Sequence, residues 1–295
     1  MPGTTPNSNA DQIAQWNSEM GKRWVQYQDD TDHMLAGLTA QLLARAEIKT
    51  GDHIIDVGCG CGTTLIPLAQ RTGPNGGVTG IDVSNPMLAR AKERIISLYS
   101  AQSAPVKLIE ADAETYPFSY HSADLIFSRF GVMFFANPEK AFLNLHSALK
   151  TTTGHILFMC WRSLEENPWV TIPLSIALRH VSLPASPPPG APGPFAFGQA
   201  EHIERILTFA GFELLSLEAE EDNMPIAGQN AVAGAYAAAV NFTARIGPLA
   251  QLLRDAPDDT RDRIRSDLFD ELQAYDSPQG PRLKGRVWIV SAKAK

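Results

Sequence analysis

Residues 53–64, HIIDVGCGCGTT, decide the fold of this chain. The apolar run ends in an acid, passes through Gly58, Gly60 and Gly62, and opens a helical pattern. Glycines in such a turn let the backbone bend sharply and approach a ligand without a Cβ clash, as in the first strand-to-helix turn of a doubly wound sheet. A dinucleotide-binding turn has glycine at its sixth position, where this chain has Thr63. The stretch therefore favours a ligand-binding turn and disfavours a nicotinamide-dependent oxidoreductase.

Apolar runs that alternate with helical patterns extend this prediction along the chain. The runs lie at 53–57, 78–82, 106–110, 123–128 and 155–161, with helices expected over about 85–99, 138–149 and 200–210. FELLSLEAE and LKGRVWIVSAKA predict two further strands in the C-terminal third. Units of this kind predict an α/β fold, with a Rossmann-like, mostly parallel sheet of seven strands.

The residues outside this core predict three additional pieces. Two amphipathic helical patterns within 10–48 predict a helical lid over residues 1–48, and 49–295 then form one domain. This domain carries insertions at 163–200 and 222–280. Proline-rich SLPASPPPGAPGPFAFG in the first insertion predicts an extended coil, and the second is helical over about 228–275. The sequence leaves open whether this helical segment covers a site or makes an oligomer contact.

Composition excludes several classes of protein. The 295 residues include 25 basic and 32 acidic residues, with no basic stripe, which disfavours a nucleic-acid partner. Cys59, Cys61 and Cys160 cannot form an even disulfide framework, and Cys59-x-Cys61 lacks the second ligand pair of a zinc site. We expect reduced thiols, no metal and a cytoplasmic location. Neither a signal-like N-terminus nor an apolar run long enough to span a membrane is found in the sequence.

Two acids follow the second and third predicted strands. Asp82 lies twenty residues beyond Gly62, where an acid meets ribose hydroxyls in this fold. An ionised carboxylate suits two neighbouring hydroxyl donors. Asp112 is of the right type to accept from an exocyclic amine such as that of adenine. Each has a structural alternative, Asp82 as a cap before Ser84 and Asp112 as a solvated turn residue.

Taken together, these motifs resemble the class I S-adenosylmethionine-dependent methyltransferases. VGCGCG matches their first motif, Ile81-Asp82 the second-strand motif, SNPMLARAKER the following helix, and ADAETYPF the adenine-contacting turn. DLIFSRFGVMFFANPEKAFLNLHSALK is similar to the branch that includes ubiquinone and menaquinone C-methyltransferases. The resemblance covers roughly residues 50–161. It implies S-adenosylmethionine as cofactor and S-adenosylhomocysteine as product.

The resemblance also implies which residues contact the cofactor. The glycine loop would line methionine and ribose, with an acid orienting it, and the next two turns would hold ribose and adenine. The implied residues are Asp56, Gly58, Gly60, Gly62, Asp82, Val83, Met87, Asp112, Ala113 and Ser128. Trp16 and Trp24, in a W-x4-G-x2-W pattern, would fold over the cofactor as an aromatic lid. Their alternative is ordinary packing of a helix onto the domain.

Groups after the fourth and fifth strands are candidates for binding the methyl acceptor. These are Arg129, Phe130, Trp161 and Arg162. Two arginines at one mouth favour an anionic small molecule, unless they pair with local acids such as Glu165 or Glu166.

Catalysis of methyl transfer depends mainly on positioning, and a base is needed only where the acceptor must lose a proton. The candidate catalytic residues are His33, Arg129 and His180.

These observations leave one leading hypothesis and three alternatives. The leading one is S-adenosylmethionine-dependent methyl transfer to oxygen or nitrogen of a small organic acceptor by in-line displacement. One alternative is C-methylation of a quinone or other lipophilic ring. The others are a nicotinamide-dependent oxidoreductase, which lacks a recognisable Tyr-x3-Lys pair here, and a noncatalytic cofactor-binding protein.

Overall fold

The structure is a computed structural model that describes residues 9–98, 100–182, 190–228, 234–254 and 256–295. Predictions that concern other residues lie outside this described part. These are residues 1–8 of the expected lid, residue 99 of the helix expected over 85–99, residues 183–189 of the expected extended coil, and residues 229–233 and 255 of the second insertion.

Seven strands form one sheet within the described residues. Their order is β3-β2-β1-β4-β5-β7-β6, and β7 runs antiparallel to both of its neighbours. The strands are β1 His53–Val57, β2 Gly77–Asp82, β3 Val106–Glu110, β4 Leu125–Arg129, β5 His155–Trp161, β6 Phe212–Pro225 and β7 Arg282–Ala294. The predicted Rossmann-like, mostly parallel sheet is therefore confirmed.

Helices flank this sheet and continue into the N-terminal segment and both insertions. Twelve α-helices lie in the described ranges: α1 Ala10–Trp16, α2 Glu19–Gln26, α3 Gln28–Met34, α4 Ala36–Arg45, α5 Leu65–Thr72, α6 Asn85–Leu98, α7 Pro138–Ala148, α8 Pro168–Ala177, α9 Ala200–Phe209, α10 Ala235–Thr243, α11 Pro248–Arg254 and α12 Asp258–Leu272. Among the described residues, no helix is both long and apolar enough to cross a membrane.

The N-terminal segment differs from the two helices predicted for it, because four short helices occupy that stretch. Ser18 has an extended backbone, and its hydroxyl accepts a hydrogen bond from the Met20 amide as the cap of α2. A serine that can cap a helix competes with the continuation of the preceding one. The chain turns again at Tyr27 and Leu35, each shared between neighbouring helix ends.

The two insertions also differ in detail from their predictions. The first contains α8, because Pro168 stands in the first turn, where its missing N–H costs little. Its described residues 190–198 form turns rather than an extended coil, closed by hydrogen bonds such as Gly198 N to Phe195 O at 3.1 Å. The second insertion begins only after β6 ends at Pro225, and Ile226 N donates to Pro281 O at its base.

The strand order places the candidate site. The chain order reverses between β1 and β4, and ligands in such sheets bind in the crevice at the carboxyl ends of the strands. Both strands are almost wholly buried, so their carboxyl ends are fixed by packing on both faces. The residues that follow β1, β2, β4 and β5 therefore meet at one edge.

Candidate active site

A cavity of about 1060 Å³ lies at this edge. It is lined by the N-terminal helices, the glycine loop, the turns after β2, β3, β4 and β5, and parts of both insertions. Sites for one small ligand typically measure about 300 to 1,000 Å³, so this cavity has room for a cofactor and a small second molecule.

The glycine loop forms one wall and has the backbone that glycine requires. Gly58, Gly60 and Gly62 have φ angles of 69°, 52° and 78°. A Cβ on Gly58 would lie 2.7 Å from the Cα of Gly131, so two backbones approach there as closely as glycine allows. Gly58 and Gly60 line the cavity, whereas Gly62 faces α6, where its Cβ would lie 3.0 Å from that of Ala91.

Asp82 presents its carboxylate to the cavity from the end of β2. Its Oδ2 accepts a hydrogen bond from Gly60 N at 2.8 Å, and its Oδ1 accepts one from Ser84 N at 2.9 Å. Burial raises the pKa of Asp82, while these backbone donors act in the opposite direction. Each oxygen keeps further acceptor capacity, so the group is a fixed pair of acceptors for two neighbouring hydroxyls.

Asp56 and Ser128 lie behind the loop rather than on the cavity wall. The Thr64 hydroxyl donates to Asp56 Oδ2, and Asp56 Oδ1 has no hydrogen-bond partner among the described residues. Burial raises the pKa of Asp56 to about 7 against the opposing effects of Thr64 and Arg129. Ser128 Oγ donates to Val57 O at 2.8 Å and so ties the end of β4 to that of β1. Both side chains support the loop from inside the core.

Four residues expected near adenine line the cavity together. They are Val83, Met87, Asp112 and Ala113. Asp112 Oδ1 accepts from Glu114 N at 2.9 Å, which fixes the turn after β3. The Asn144 side chain donates to the Ala113 carbonyl at 3.0 Å from α7.

The N-terminal helices close the cavity above this turn. Trp16 and Trp24 both line it and meet edge to face, with ring centroids 5.9 Å apart. Asn17 Nδ2 donates to Val83 O at 2.8 Å, and Asn17 Oδ1 accepts from Asn85 N at 2.9 Å. The two tryptophans are therefore held against the turn that carries Asp82.

Arg129 lines the cavity but is already engaged. Its Nη1 donates to Thr39 Oγ1 at 3.0 Å, and its Nη2 lies 3.6 Å from Asp32 Oδ1. Asp32 also pairs with Arg94 at 3.1 Å and accepts from the Thr63 hydroxyl at 2.6 Å. Asp32 was missed by the sequence analysis, because its cavity partners Thr63, Arg94 and Arg129 lie 31 to 97 positions away.

Three further predicted residues lie away from the cavity, which corrects their expected placement. Arg162 pairs with Glu166 and lies 4.6 Å from the centre of the Trp288 ring, so the local pairing that the sequence left open is the one observed. His180 Nε2 lies 2.8 Å from Asp267 Oδ2. His33 follows Asp32 on α3 and so points about 100° away from the cavity-facing side of that helix.

Phe130, Trp161 and Trp169 form an aromatic wall of the cavity. The rings of Phe130 and Trp161 stack with centroids 4.4 Å apart, and those of Trp161 and Trp169 are 4.8 Å apart. Phe130 has a φ of 61°, an uncommon backbone conformation for a bulky residue. Trp169 was missed because the sequence analysis predicted no helix at its position.

Of the described histidines, His202 alone lines the cavity, and the sequence analysis did not select it. Burial and the neighbouring Arg205 lower the pKa of His202 and so favour its neutral form. Arg205 Nη2 lies 2.9 Å from its Nδ1, which as acceptor leaves the ring proton on Nε2. The sequence held one signal for His202, its position in the first turn of α9. A helix that leads back into a parallel sheet begins at the ligand edge, so its first turn faces the cavity.

Comparison with known proteins shows what part of this chain is similar to. A family model described as a methyltransferase domain matches residues 54–152. The chain is 38% identical over 86 residues to demethylmenaquinone methyltransferase of Bacillus cytotoxicus, covering 29% of this chain and 35% of the relative. It is 32% identical over 118 residues to malonyl-[acyl-carrier protein] O-methyltransferase of a Marinomonas species, covering 40% and 41%.

A solved structure shares the fold over nearly the whole chain. It is phosphoethanolamine N-methyltransferase 2 of Haemonchus contortus, in complex with phosphomonomethylethanolamine and S-adenosylhomocysteine. The TM-score is 0.54 at 20% identity, covering 99% of this chain and 61% of that one. The chain spans 41% or less of the length of the two curated relatives. Residues 54–152, about a third of the chain, therefore resemble a methyltransferase domain.

Proposed function

We propose that this protein transfers a methyl group from S-adenosylmethionine to a small organic acceptor. The observation that carries the proposal is the carboxylate of Asp82, fixed by two backbone amides at the wall of a cavity large enough for two molecules. The same proposal assigns residues 1–48 to a lid and 49–295 to the domain that it covers. Ile246, Gly247 and Pro248 line the cavity, which supports a covering role for the second insertion.

The residues present fit this cofactor. Asp82 would accept from both ribose hydroxyls, Val83 and Met87 would pack on adenine, and Asp112 with Ala113 would border its amine. Gly58 and Gly60 would border the methionine part, with Asp56 and Ser128 holding the loop from behind. Trp16 and Trp24 would exclude water from above.

When bound, the cofactor supplies a methyl carbon to which the acceptor forms a bond while the carbon–sulfur bond breaks and its electron pair stays on sulfur. The part left to the protein is positioning, because in-line displacement of a good leaving group depends on orientation. An oxygen or nitrogen acceptor also loses a proton. His202 carries its ring proton on Nε2 and so presents a donor, and the proposal therefore assigns no general base.

The anionic acceptor suggested by the sequence loses its main support. Arg162 lies away from the cavity, and Arg129 is engaged by Asp32 and Thr39. The aromatic wall supports a second candidate, methyl transfer to a ring carbon of a quinone or another lipophilic ring. Nuclear magnetic resonance of a product formed with isotope-labelled cofactor would separate the candidates, because methyl groups on oxygen, nitrogen and ring carbon resonate at different shifts.

Calorimetric titration with S-adenosylhomocysteine tests the cofactor site. We expect Asp82→Ala to weaken binding about a hundredfold, because two hydrogen bonds to a charged acceptor are lost. Asp82→Asn, which keeps one acceptor oxygen, should bind with intermediate affinity. Asp258→Ala, at the exposed start of α12, is the matched control and should bind like the native chain. Absent binding by the native protein, or equal binding by Asp82→Ala, would contradict the proposal.

A further inference from the structure

Asp32 connects the N-terminal helices to three elements of the core. Its Oδ1 accepts from the Thr63 hydroxyl at 2.6 Å, at the end of the glycine loop. Its Oδ2 lies 3.1 Å from Arg94 Nη2 on α6, and its Oδ1 lies 3.6 Å from Arg129 Nη2 at the end of β4. The Gln28 side chain, one turn earlier on α3, donates to Oδ2 at 2.6 Å. Both oxygens of this carboxylate therefore already have partners.

The contacts of Arg94 extend this arrangement into the glycine loop. Its Nη1 donates to the Cys61 carbonyl at 2.9 Å and to the Thr63 hydroxyl at 3.1 Å. The side chains of Asp32, Arg94 and Arg129 are between 16% and 19% exposed. Ion pairs that are shielded in this way are screened less than surface pairs, and removing one partner leaves the other charge uncompensated. Asp32 therefore fixes where the two guanidinium groups lie relative to the loop.

Arg129 keeps unused donors at the cavity wall. Its Nη1 donates to Thr39 Oγ1 at 3.0 Å, the one hydrogen bond of this guanidinium among the described residues. Its Nη2 lies beyond hydrogen-bond distance of Asp32. The remaining nitrogens are not buried without a partner, so they stay accessible at the wall. Since one carboxylate faces two guanidinium groups, the cluster also keeps an excess of positive charge.

The order of the strands relates this cluster to one end of the cofactor. Asp112 follows β3 and Asp82 ends β2, so the proposed function puts adenine and ribose over those two strands. Next in the sheet come β1 and β4, and Arg129 ends β4. The amino-acid end of the cofactor, which carries a carboxylate, therefore lies toward Arg129. Arginine binds carboxylates through charge-assisted hydrogen bonds.

We propose that Asp32 is a positioning residue of the cofactor site: from α3 it holds Arg129 and the end of the glycine loop in the arrangement that receives the carboxylate of the amino-acid end. This proposal rests on the proposed function and deepens it. Because Asp32 belongs to the N-terminal segment, that segment is part of the cofactor site and not only its cover. Asp32 acts through Arg129 and takes no part in the methyl transfer itself.

Calorimetric titration of the full chain with two ligands tests the proposal. S-adenosylhomocysteine carries the amino-acid end, whereas methylthioadenosine has the same nucleoside and sulfur but ends in a methyl group. We expect Asp32→Asn, which keeps the size of the side chain but loses its charge, to weaken S-adenosylhomocysteine about tenfold and to leave methylthioadenosine unchanged. Glu19→Gln is the matched control, because it removes an exposed ion pair with Lys22 from the same segment, and it should change neither affinity.

A second variant shows whether Asp32 acts through Arg129. Arg129→Gln should also weaken S-adenosylhomocysteine about tenfold and leave methylthioadenosine unchanged. Adding Asp32→Asn to Arg129→Gln should then lower the affinity by less than about twofold, since two residues that act through one contact are not additive. If circular dichroism shows that Asp32→Asn does not fold, Asp32→Glu replaces it. This variant keeps the charge but displaces the carboxylate, and the same selective loss is expected.

Two outcomes would overturn the proposal while leaving the proposed function intact. One is an equal loss for both ligands in Asp32→Asn, because Asp32 would then only support the packing of the N-terminal helices. The other is additive losses in the double variant, because Asp32 would then not act through Arg129. Native protein that fails to bind S-adenosylhomocysteine would instead contradict the proposed function, and this proposal with it.

Discussion

Asp56 links the stability of the protein to pH through a single buried carboxyl group. Burial raises its pKa from 3.8 to about 7, so between these values the native state holds a proton that the unfolded state has lost. The free energy of unfolding must then fall as pH rises through this window and level off above it. From pH 5 to pH 8 we expect the native chain to lose about 3 kcal/mol relative to Asp56→Asn. Urea unfolding at both pH values measures this difference.

The control for this experiment is Asp262→Asn, on the exposed side of α12. It should follow the native chain at both pH values, because its carboxylate is solvated in the folded and unfolded states. Parallel curves for the native chain and Asp56→Asn would show that Asp56 is already ionised in the folded protein.

How far individual residues could be predicted depends on whether their partners are local. Asp82 and the glycine loop lie in one strand–turn–helix pattern, and the structure brings them to a common wall. Asp32 and Trp169 reach the same cavity through contacts with residues far away in sequence, which a single sequence does not display. Arg162 was wrongly expected at the cavity. It does follow β5 directly, but its side chain pairs with Glu166, four residues later.

The position of α2 depends on the absence of a side chain at Gly21. A Cβ there would lie 2.0 Å from Trp16 O and 2.9 Å from Ser84 Oγ. Alanine usually stabilises a helix interior, but here the clash would force α2 off the β2–α6 turn. We expect Gly21→Ala to lower the free energy of unfolding by about 1 to 3 kcal/mol and to weaken S-adenosylhomocysteine binding. Chemical denaturation and calorimetry measure the two effects.

Gly193→Ala is the matched control for stability, because a Cβ at Gly193 would meet no atom within 4 Å. If Gly21→Ala instead leaves the free energy of unfolding unchanged or raises it, the prediction is wrong. The N-terminal helices would then accommodate the added Cβ without loss of stability.

The elements themselves were predictable where capping and periodicity agreed. Asn137 accepts from Lys140 N and Pro138 follows it, so α7 begins where the sequence predicted. The sequence analysis predicted no helix at α8, although that helix accommodates both Pro168 and Pro173. The four N-terminal helices were also missed, since apolar periodicity continues across the turns that separate them.

Ligand binding should stabilise the whole molecule, because the cavity is enclosed by the N-terminal helices, the core and both insertions. At a concentration one hundred times its dissociation constant, S-adenosylhomocysteine should raise the free energy of unfolding by about 2.7 kcal/mol. Asp82→Ala at the same concentration should gain only about 0.4 kcal/mol if its affinity is a hundredfold lower. Thermal unfolding followed by circular dichroism measures both gains. Equal shifts in the two proteins would place the binding elsewhere.

At the scale of the whole molecule, the sheet was predictable and the enclosure of the site was not. Alternating strand and helix patterns specify neighbours through short connections, and the expected seven strands are found. Which edge the second insertion covers depends on the direction of the last two strands. That direction follows from their pairing with β5, which no local pattern encodes.

The antiparallel β7 has a consequence for how new specificities arise on this scaffold. Since β6 ends and β7 begins at the ligand edge, the 226–281 segment leaves and rejoins the sheet at one place, closed by the bond between Ile226 and Pro281. Such a segment can vary in length or composition without altering the register of any strand. The side of the cavity that this segment lines is thus free to diverge while the side carrying Asp82 stays constant, so a lineage can change the shape of its cavity without rebuilding its core.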